Sequence, residues 1–490
     1  MPQLTRRDLL AGAAGAGTFS LLPSRVLGAN EDIRVAVIGF NGRGTSHISA
    51  FSNMPGVKLV ALCDVDPAVL SRNVAALDKR GIKVAAHTDL RRVLDDKNID
   101  AITTATPNHW HSLIGIWACQ AGKDAYIEKP ISHNVWEGRQ LVKAARRYRR
   151  IIQGGTQSRS SSRIPEAIAW LRAGNLGKIK VVTGYCYKAR QAIGHTGRGD
   201  MPGGLDYDLW CGPAPMAPLR RKNLHYDWHW VNDTGNGDMG NQGIHQMDIA
   251  RWVLGVNELS PRVFSIGGRL GYADDGETPN TQVVYHDYEP APLIFETRGL
   301  PAGKQFHDPR QWGGNMDNPF GIPRAGGIGV IAECDGGKLV IVGGGSPLVA
   351  VDRQGKTIRE FRGDGDRTDH FANWIQAVRE RKQEVLNAEC LETHLSSALC
   401  HTAMISHQLG KTMSCGDIED QIRTDAVALD RFEQMKEHLV RNGVDLANTP
   451  LTYGALLKFD PKKERFVDND AANEMVTRQY RKPYVVPSKV

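Results

Sequence analysis

Lys129, in Tyr126-Ile127-Glu128-Lys129-Pro130, has a residue type and setting that could do chemistry. It follows a predicted strand, Lys123 to Ile127, and precedes a predicted helix from about His133 to Arg147. Ligands of an open α/β sheet sit beyond the carboxyl ends of its strands, so Lys129 stands where a nucleotide and a small substrate would meet. A lysine beside a stiff proline in a crevice is a credible proton donor and acceptor. Taken alone, the tripeptide reads more simply as a charged strand end at the surface. His245 is the second candidate, in Gly240-Asn241-Gln242-Gly243-Ile244-His245-Gln246-Met247-Asp248. This stretch opens a predicted helix that runs to about Leu254. Asn241 and His245 are four apart and share a face, with Asp248 three further on nearly the same face. A hydrogen-bonded core histidine is the alternative for His245.

The elements that must position Lys129 lie upstream. Ile33 to Ile38 is a short apolar run, predicted as a buried parallel strand. Gly39-Phe40-Asn41-Gly42-Arg43-Gly44 follows at once and resembles Gly-x-Gly-x-x-Gly, with Asn41 in the middle glycine's place. Asn tolerates left-handed backbone angles, so a pyrophosphate can still approach. A second strand, Val57 to Cys63, ends at Asp64, twenty residues past Gly44. That is the spacing of an acid that bonds the adenosine ribose, and a carboxylate there repels a 2′-phosphate. NAD is therefore expected over NADP. Asp66 before Pro67 is the better helix cap. Thr106-Pro107-Asn108-His109-Trp110-His111 lies at another strand end on the same rim, where Asn108 and His111 could bond a ribose. Alternating predicted strands and helices to Gln153 complete a doubly wound parallel sheet.

In that order, the Gly-rich turn, Asp64, Ala105 to His111 and Glu128-Lys129-Pro130 resemble the Gfo/Idh/MocA family, from about Ile33 to at least Gly410. The resemblance implies an α/β protein with an N-terminal Rossmann domain (31–155). A C-terminal α/β domain with a large, open, mostly antiparallel sheet (156–415) and an extension (416–490) would follow. NAD contacts are assigned to Gly39, Asn41, Gly42, Arg43, Gly44 and Asp64, then to Thr106, Pro107, Asn108 and His111. Glu128, Lys129, Pro130 and Gln157 complete that set. In the family the lysine contacts substrate and nicotinamide, and the histidine of Asp-x-x-x-His accepts the hydroxyl proton. His245 matches that motif and Asn241 departs from it. An amide can orient an imidazole but stabilises its cation less than a carboxylate does. The resemblance also implies sugar or cyclitol substrates and a homo-oligomer, dimer or tetramer, through the open sheet face.

Gly, Pro and Trp are dense from Gly194 to Trp230, as in a binding loop. Aromatics beside polar edges suit a sugar, and packing of a loop on the sheet is the alternative. Substrate contacts are assigned to Tyr187, Trp210, His225, Trp228, Trp230 and Asp248. His225 and His229 have a spacing a metal could use, but no third ligand is evident and no metal is expected.

The 490 residues carry a net charge of +7, 41% hydrophobic and 23% charged residues, which is globular composition for two or three domains. The positive charge is dispersed, which argues against nucleic acid. Eight cysteines without a Cys-x-x-Cys pair read as buried thiols. Thr5-Arg6-Arg7-Asp8-Leu9-Leu10 and the Ala/Gly-rich run to Leu22 form a twin-arginine signal pattern over 1–30. It predicts the twin-arginine machinery as a partner and a periplasmic or otherwise exported product. The run is too short for a stable membrane span.

Three functions fit. One is an NAD(P)-dependent oxidoreductase acting on a sugar CH–OH. The second is a glycosidase or oxidoreductase that recycles a tightly held NAD, since free NAD is scarce outside the cytoplasm. The family's NAD-dependent glycosidases tend to alter the Glu-Lys-Pro lysine, which is kept here. The third is a non-catalytic NAD- or sugar-binding sensor.

Overall fold

Six short runs form one parallel sheet: β1 (Ile33–Ile38), β2 (Val57–Cys63), β3 (Ala85–His87), β4 (Ala101–Thr104), β5 (Asp124–Ile127) and β6 (Ile152–Gly154). Their spatial order is β3-β2-β1-β4-β5-β6, the doubly wound arrangement expected. The computed structural model describes residues 31–490 apart from 196, 198, 309, 311, 313–325, 343–347 and 364–368. The twin-arginine segment therefore lies outside the described residues. Every residue of β4 and β5 is buried, as helices on both faces require. One helix between the strands starts as its sequence dictates: Asp66 accepts from the amides of Ala68 and Val69, with Pro67 in the first turn. The helix His370–Glu380, far along the chain, also packs into this domain. Its Phe371 and Trp374 join the cluster that holds Val35 and Phe51.

The second sheet has twelve strands. They are β7 (Ile179–Cys186), β8 (Arg262–Gly268), β9 (Thr281–His286), β10 (Leu293–Arg298), β11 (Ile328–Cys334), β12 (Gly337–Val342), β13 (Leu348–Asp352), β14 (Thr357–Phe361), β15 (Lys411–Met413), β16 (Leu451–Tyr453), β17 (Leu457–Asp460) and β18 (Arg465–Phe466). It is antiparallel except where β10 pairs with β7. Helices Ile244–Leu254 and Cys390–Gln408 share the core on one face. The 415–441 region covers part of the other, where Ile418, Phe432 and Met435 pack on Val181, Val283 and Ile294. Tyr187 lies on this outer face, clustered with Ile331 and Val349. Its hydroxyl donates to Glu296 Oε2 at 2.9 Å, and the Arg298 guanidinium lies 4.5 Å over its ring. The assignment of Tyr187 to substrate is thus corrected: strand alternation turns it away from the nucleotide domain.

The C-terminal extension is not an appendage. Residues 451–466 add strands to the big sheet. The chain then crosses back to the nucleotide domain, where Tyr484 and Val486 pack with Trp110 and Leu113. Arg481 and the Tyr484 hydroxyl (3.0 Å) both hold Asp208. All eight cysteines are free and seven are buried. Among the described residues no helix is long and apolar enough to cross a membrane. Tyr484 is 3% exposed, so Tyr484→Ala is expected to cost about 3 kcal/mol in chemical denaturation. An unchanged denaturation midpoint would contradict a structural role for this tail.

Candidate functional site

The first βα turn carries the backbone geometry of a phosphate-binding loop. Gly39 has φ +74°, and a Cβ on it would stand 2.7 Å from Thr106 Cγ2. Only glycine fits there. A Cβ on Gly42 would meet open space, so the loop faces a cleft. Asp64 Oδ2 accepts from the Phe40 amide at 3.0 Å, and its Oδ1 accepts from the Asp66 amide at 3.1 Å. Each oxygen keeps a lone pair for a ribose hydroxyl. Burial raises the Asp64 pKa, and these two amides oppose that. The turn, the β2 end and Thr106 to Asn108 line one cavity of about 300 Å³. These residues fit a dinucleotide, with Asp64 at its ribose end and Lys129 at the far end.

Glu128 braces this turn from below. Its Oε1 accepts from Arg43 Nε at 2.8 Å and lies 3.2 Å from His47 Nε2. Its Oε2 accepts from the Lys129 amide at 3.2 Å. Burial pushes its pKa up, but the His47 hydrogen bond and the Arg43 charge outweigh this and hold it well below the usual range. Gln157 accepts from Arg43 Nη2 (3.1 Å) in the amide orientation that satisfies both its ends. Gln157, Gly44 and Pro130 thus act behind the cavity wall and not on it. Asn41 does reach the wall, but its Oδ1 is held by Arg72 Nη2 at 2.9 Å. His111 is spanned by the Pro130 (2.6 Å) and Thr106 (2.8 Å) carbonyls, so it ties these two loops together. Asn108 Nδ2 donates to Asn236 Oδ1 at 3.0 Å and links the two domains.

Lys129 Nζ donates to the Asn241 carbonyl and, at 3.3 Å, to Asn241 Oδ1. Burial lowers its pKa, with Arg43 adding and Glu128 opposing. The sequence pattern assigns Asn241 to orient His245; here both Asn241 oxygens serve Lys129 instead. A π turn, Met239–Gly243, precedes the helix and brings Asn241 to the lysine. His245 stands in the same electrostatic neighbourhood. Burial first, then Lys129, lowers its pKa to about 3. Its Nδ1 is buried without a hydrogen-bond partner, and the residue is not on the cavity wall.

The substrate assignments divide. Trp210, His225 and Trp228 line the cavity. His225 Nε2 meets Asp66 Oδ2 at 2.9 Å and so latches this loop to the nucleotide domain. Trp230 is buried off the wall, with the Arg190 guanidinium 5.8 Å over its ring. Asp248 is buried against Arg159 (2.9 Å) and Ser396 Oγ (2.6 Å), too deep to meet a ligand. Both corrections share one cause: a helix or loop residue at the right spacing can face the core. The sequence pattern missed the Arg190–Asp238 pair (2.7 Å), which is buried beside Asn241 and Lys129. It also missed Tyr226 and His229 as wall residues. Asp238 stands three residues before Asn241, and returns a carboxylate to the region where the motif lacks one.

Comparison with known proteins agrees with this architecture. Residues 33–156 match the model "Oxidoreductase family, NAD-binding Rossmann fold" and residues 173–292 the "Oxidoreductase family, C-terminal alpha/beta domain". Residues 33–292 thus carry both domains of the Gfo/Idh/MocA oxidoreductase family, the first an NAD-binding Rossmann domain. A glycosyl hydrolase family 109 protein of Shewanella pealeana is 31% identical over 140 residues, which is 28% of this chain and 30% of that one. An alpha-N-acetylgalactosaminidase of Shewanella oneidensis is 37% identical over 122 residues, 24% of this chain and 27% of the other. The chain thus spans under a third of these relatives' length. Among solved structures, the WlbA dehydrogenase of Bordetella pertussis, with NADH and UDP-GlcNAcA, has a TM-score of 0.53 at 19% identity over 75% of this chain and 94% of that one. A levoglucosan dehydrogenase in complex with NADH and levoglucosan has 0.54 at 17% over 76% and 95%. At these identities the likeness is one of fold.

Glu128→Ala would leave Arg43 and His47 facing a void. It is expected to cost about 3–5 kcal/mol of stability and to weaken NAD binding in a nucleotide titration. The folded pKa of Glu128 is depressed, so its contribution is present above about pH 4.3 and is lost as the pH falls through the folded pKa. The stability difference between wild type and variant should therefore close only in strong acid. Equal stability at neutral pH would contradict this role.

Proposed function

We propose that the chain is an NAD-dependent oxidoreductase that acts on a CH–OH group of a sugar or sugar derivative. One observation carries the reading. The Lys129 ammonium spends two donors on Asn241 and keeps one for a ligand, on the wall of the cavity that holds the glycine turn and Asp64. NAD, when bound, supplies the hydride acceptor. Lys129 holds the substrate hydroxyl, and its lowered pKa lets Nζ take up and give back a proton nearer neutrality. His245 feels the charge of Lys129, and the family motif implies that it assists the proton transfer. Trp210 and Trp228 add apolar surface to the cavity wall and exclude water from it. The twin-arginine pattern supports export of the folded, cofactor-loaded protein.

A second reading is a closed cycle on retained NAD, ending in hydrolysis or in reduction of the product. It is favoured by the similarity to glycosyl hydrolases and by the His225–Asp66 latch across the nucleotide cleft. Nucleotide released from the purified, denatured protein, followed by a sugar and glycoside panel with and without added NAD, separates the readings. Dependence on added NAD supports the dehydrogenase, and turnover without it supports the cycle. Bound NAD with no turnover on the panel contradicts both and favours a sensor.

Lys129→Ala is expected to cut turnover by roughly 10²–10⁴-fold while NAD binding persists. The wild-type rate should rise with pH below the ordinary lysine range, as the ammonium loses its proton. That limb should be absent from the variant's pH profile. Unchanged turnover in Lys129→Ala would remove the central role of this lysine.

A further inference from the structure

In the sequence His229 stands out only as a neighbour of His225. In the structure its chemical state is defined. It sits in the 3-10 turn Trp228–Trp230, and its ring lines the same cavity as Lys129. The ring stacks on Trp228 at 3.6 Å between centroids and 20° between planes, which fixes its orientation. Its Nδ1 lies 2.6 Å from the Tyr226 carbonyl. A carbonyl only accepts, so Nδ1 carries the proton and Nε2 carries a lone pair. Burial lowers the ring pKa; the Tyr226 carbonyl opposes this, and the Lys129 and Arg190 charges add to it. With the proton on Nδ1, the Nε2 lone pair of the neutral ring is available. Among the described residues Nε2 has no protein partner, and it is not sealed from the surface as His245 Nδ1 is.

Donors share the cavity with this acceptor. Lys129 has one N–H left after Asn241 takes two. The Tyr226 hydroxyl accepts from Arg190 Nη1 at 3.1 Å and keeps its own hydrogen. A lone acceptor beside donors suits a hydroxyl, which gives one hydrogen and accepts others. A deoxy carbon, an ether or a ketone cannot give that hydrogen.

We propose that His229 Nε2 accepts the hydrogen of a substrate hydroxyl adjoining the carbon that is oxidised, so that the site selects saccharides with a free diol at that place. The location of the reacting carbon rests on the oxidoreductase reading above; the hydroxyl contact itself does not.

The test uses the full chain saturated with NAD and two variants, His229→Phe and His229→Gln. Binding is measured calorimetrically for a panel of pyranoses, N-acetylgalactosamine and levoglucosan, each beside its deoxy and O-methyl forms. His229→Phe should weaken binding of a hydroxyl-bearing ligand by about 10–100-fold. Its deoxy or O-methyl counterpart should be hardly affected. His229→Gln keeps an acceptor and should restore part of the loss. NAD affinity reports whether each variant has folded. His229-dependent binding without any nucleotide reduction would uphold this contact and count against the oxidoreductase reading. Equal loss for the hydroxyl and deoxy forms, no loss in His229→Phe, or no panel ligand whose binding depends on His229 would overturn the proposal.

Discussion

The buried Glu128 carboxylate is the constraint on which the site depends. It is 3% exposed and stays ionised because Arg43 and His47 converge on it. Through Arg43 it fixes the glycine turn, and through the Lys129 amide it fixes the start of the next loop. Beyond Lys129, Asn241, Asp238 and Arg190 carry the polar contacts into the second domain. A buried ion pair adds little net stability by itself, because desolvation offsets attraction. What this one gives is placement. Removing either partner leaves a charge unpaired, so the turn and the lysine are held in one register.

The second wall of the cavity depends on the far end of the chain. The loop that brings Trp210, Trp228 and His229 to the nucleotide domain has little regular structure of its own. It is held by the His225–Asp66 contact on one side and by Arg481 and Tyr484 on Asp208 on the other. A closed wall of this kind excludes water, and electrostatic interactions inside it strengthen. The C-terminal residues thus bear on the site without touching its cavity.

The doubly wound sheet was legible because its apolar runs and turn residues are local signals. Asp64 and Lys129 were legible for the same reason: each ends a strand, and strand ends share a rim. The large sheet was less so. Strand β14 and the strands after Gly410 carry no periodicity that separates them from loop, and long-range pairing places them. Face was the harder question. Tyr187 and Asp248 have suitable residue types in suitable positions, yet the first turns to the outer sheet face and the second to Arg159. Asn241 shares a helix face with His245 only if the helix is regular, and the π turn before it changes its partner to Lys129. His229 gave no signal beyond its spacing, because its role follows from a stacked ring and a carbonyl three residues away.

The most direct measurement of the central claim is a single turnover with a sugar deuterated at the carbon that is oxidised. If Lys129 presents that carbon to the bound nucleotide, the label should appear at C4 of the protein-bound nicotinamide. Product formed with no label in the nucleotide would contradict the account.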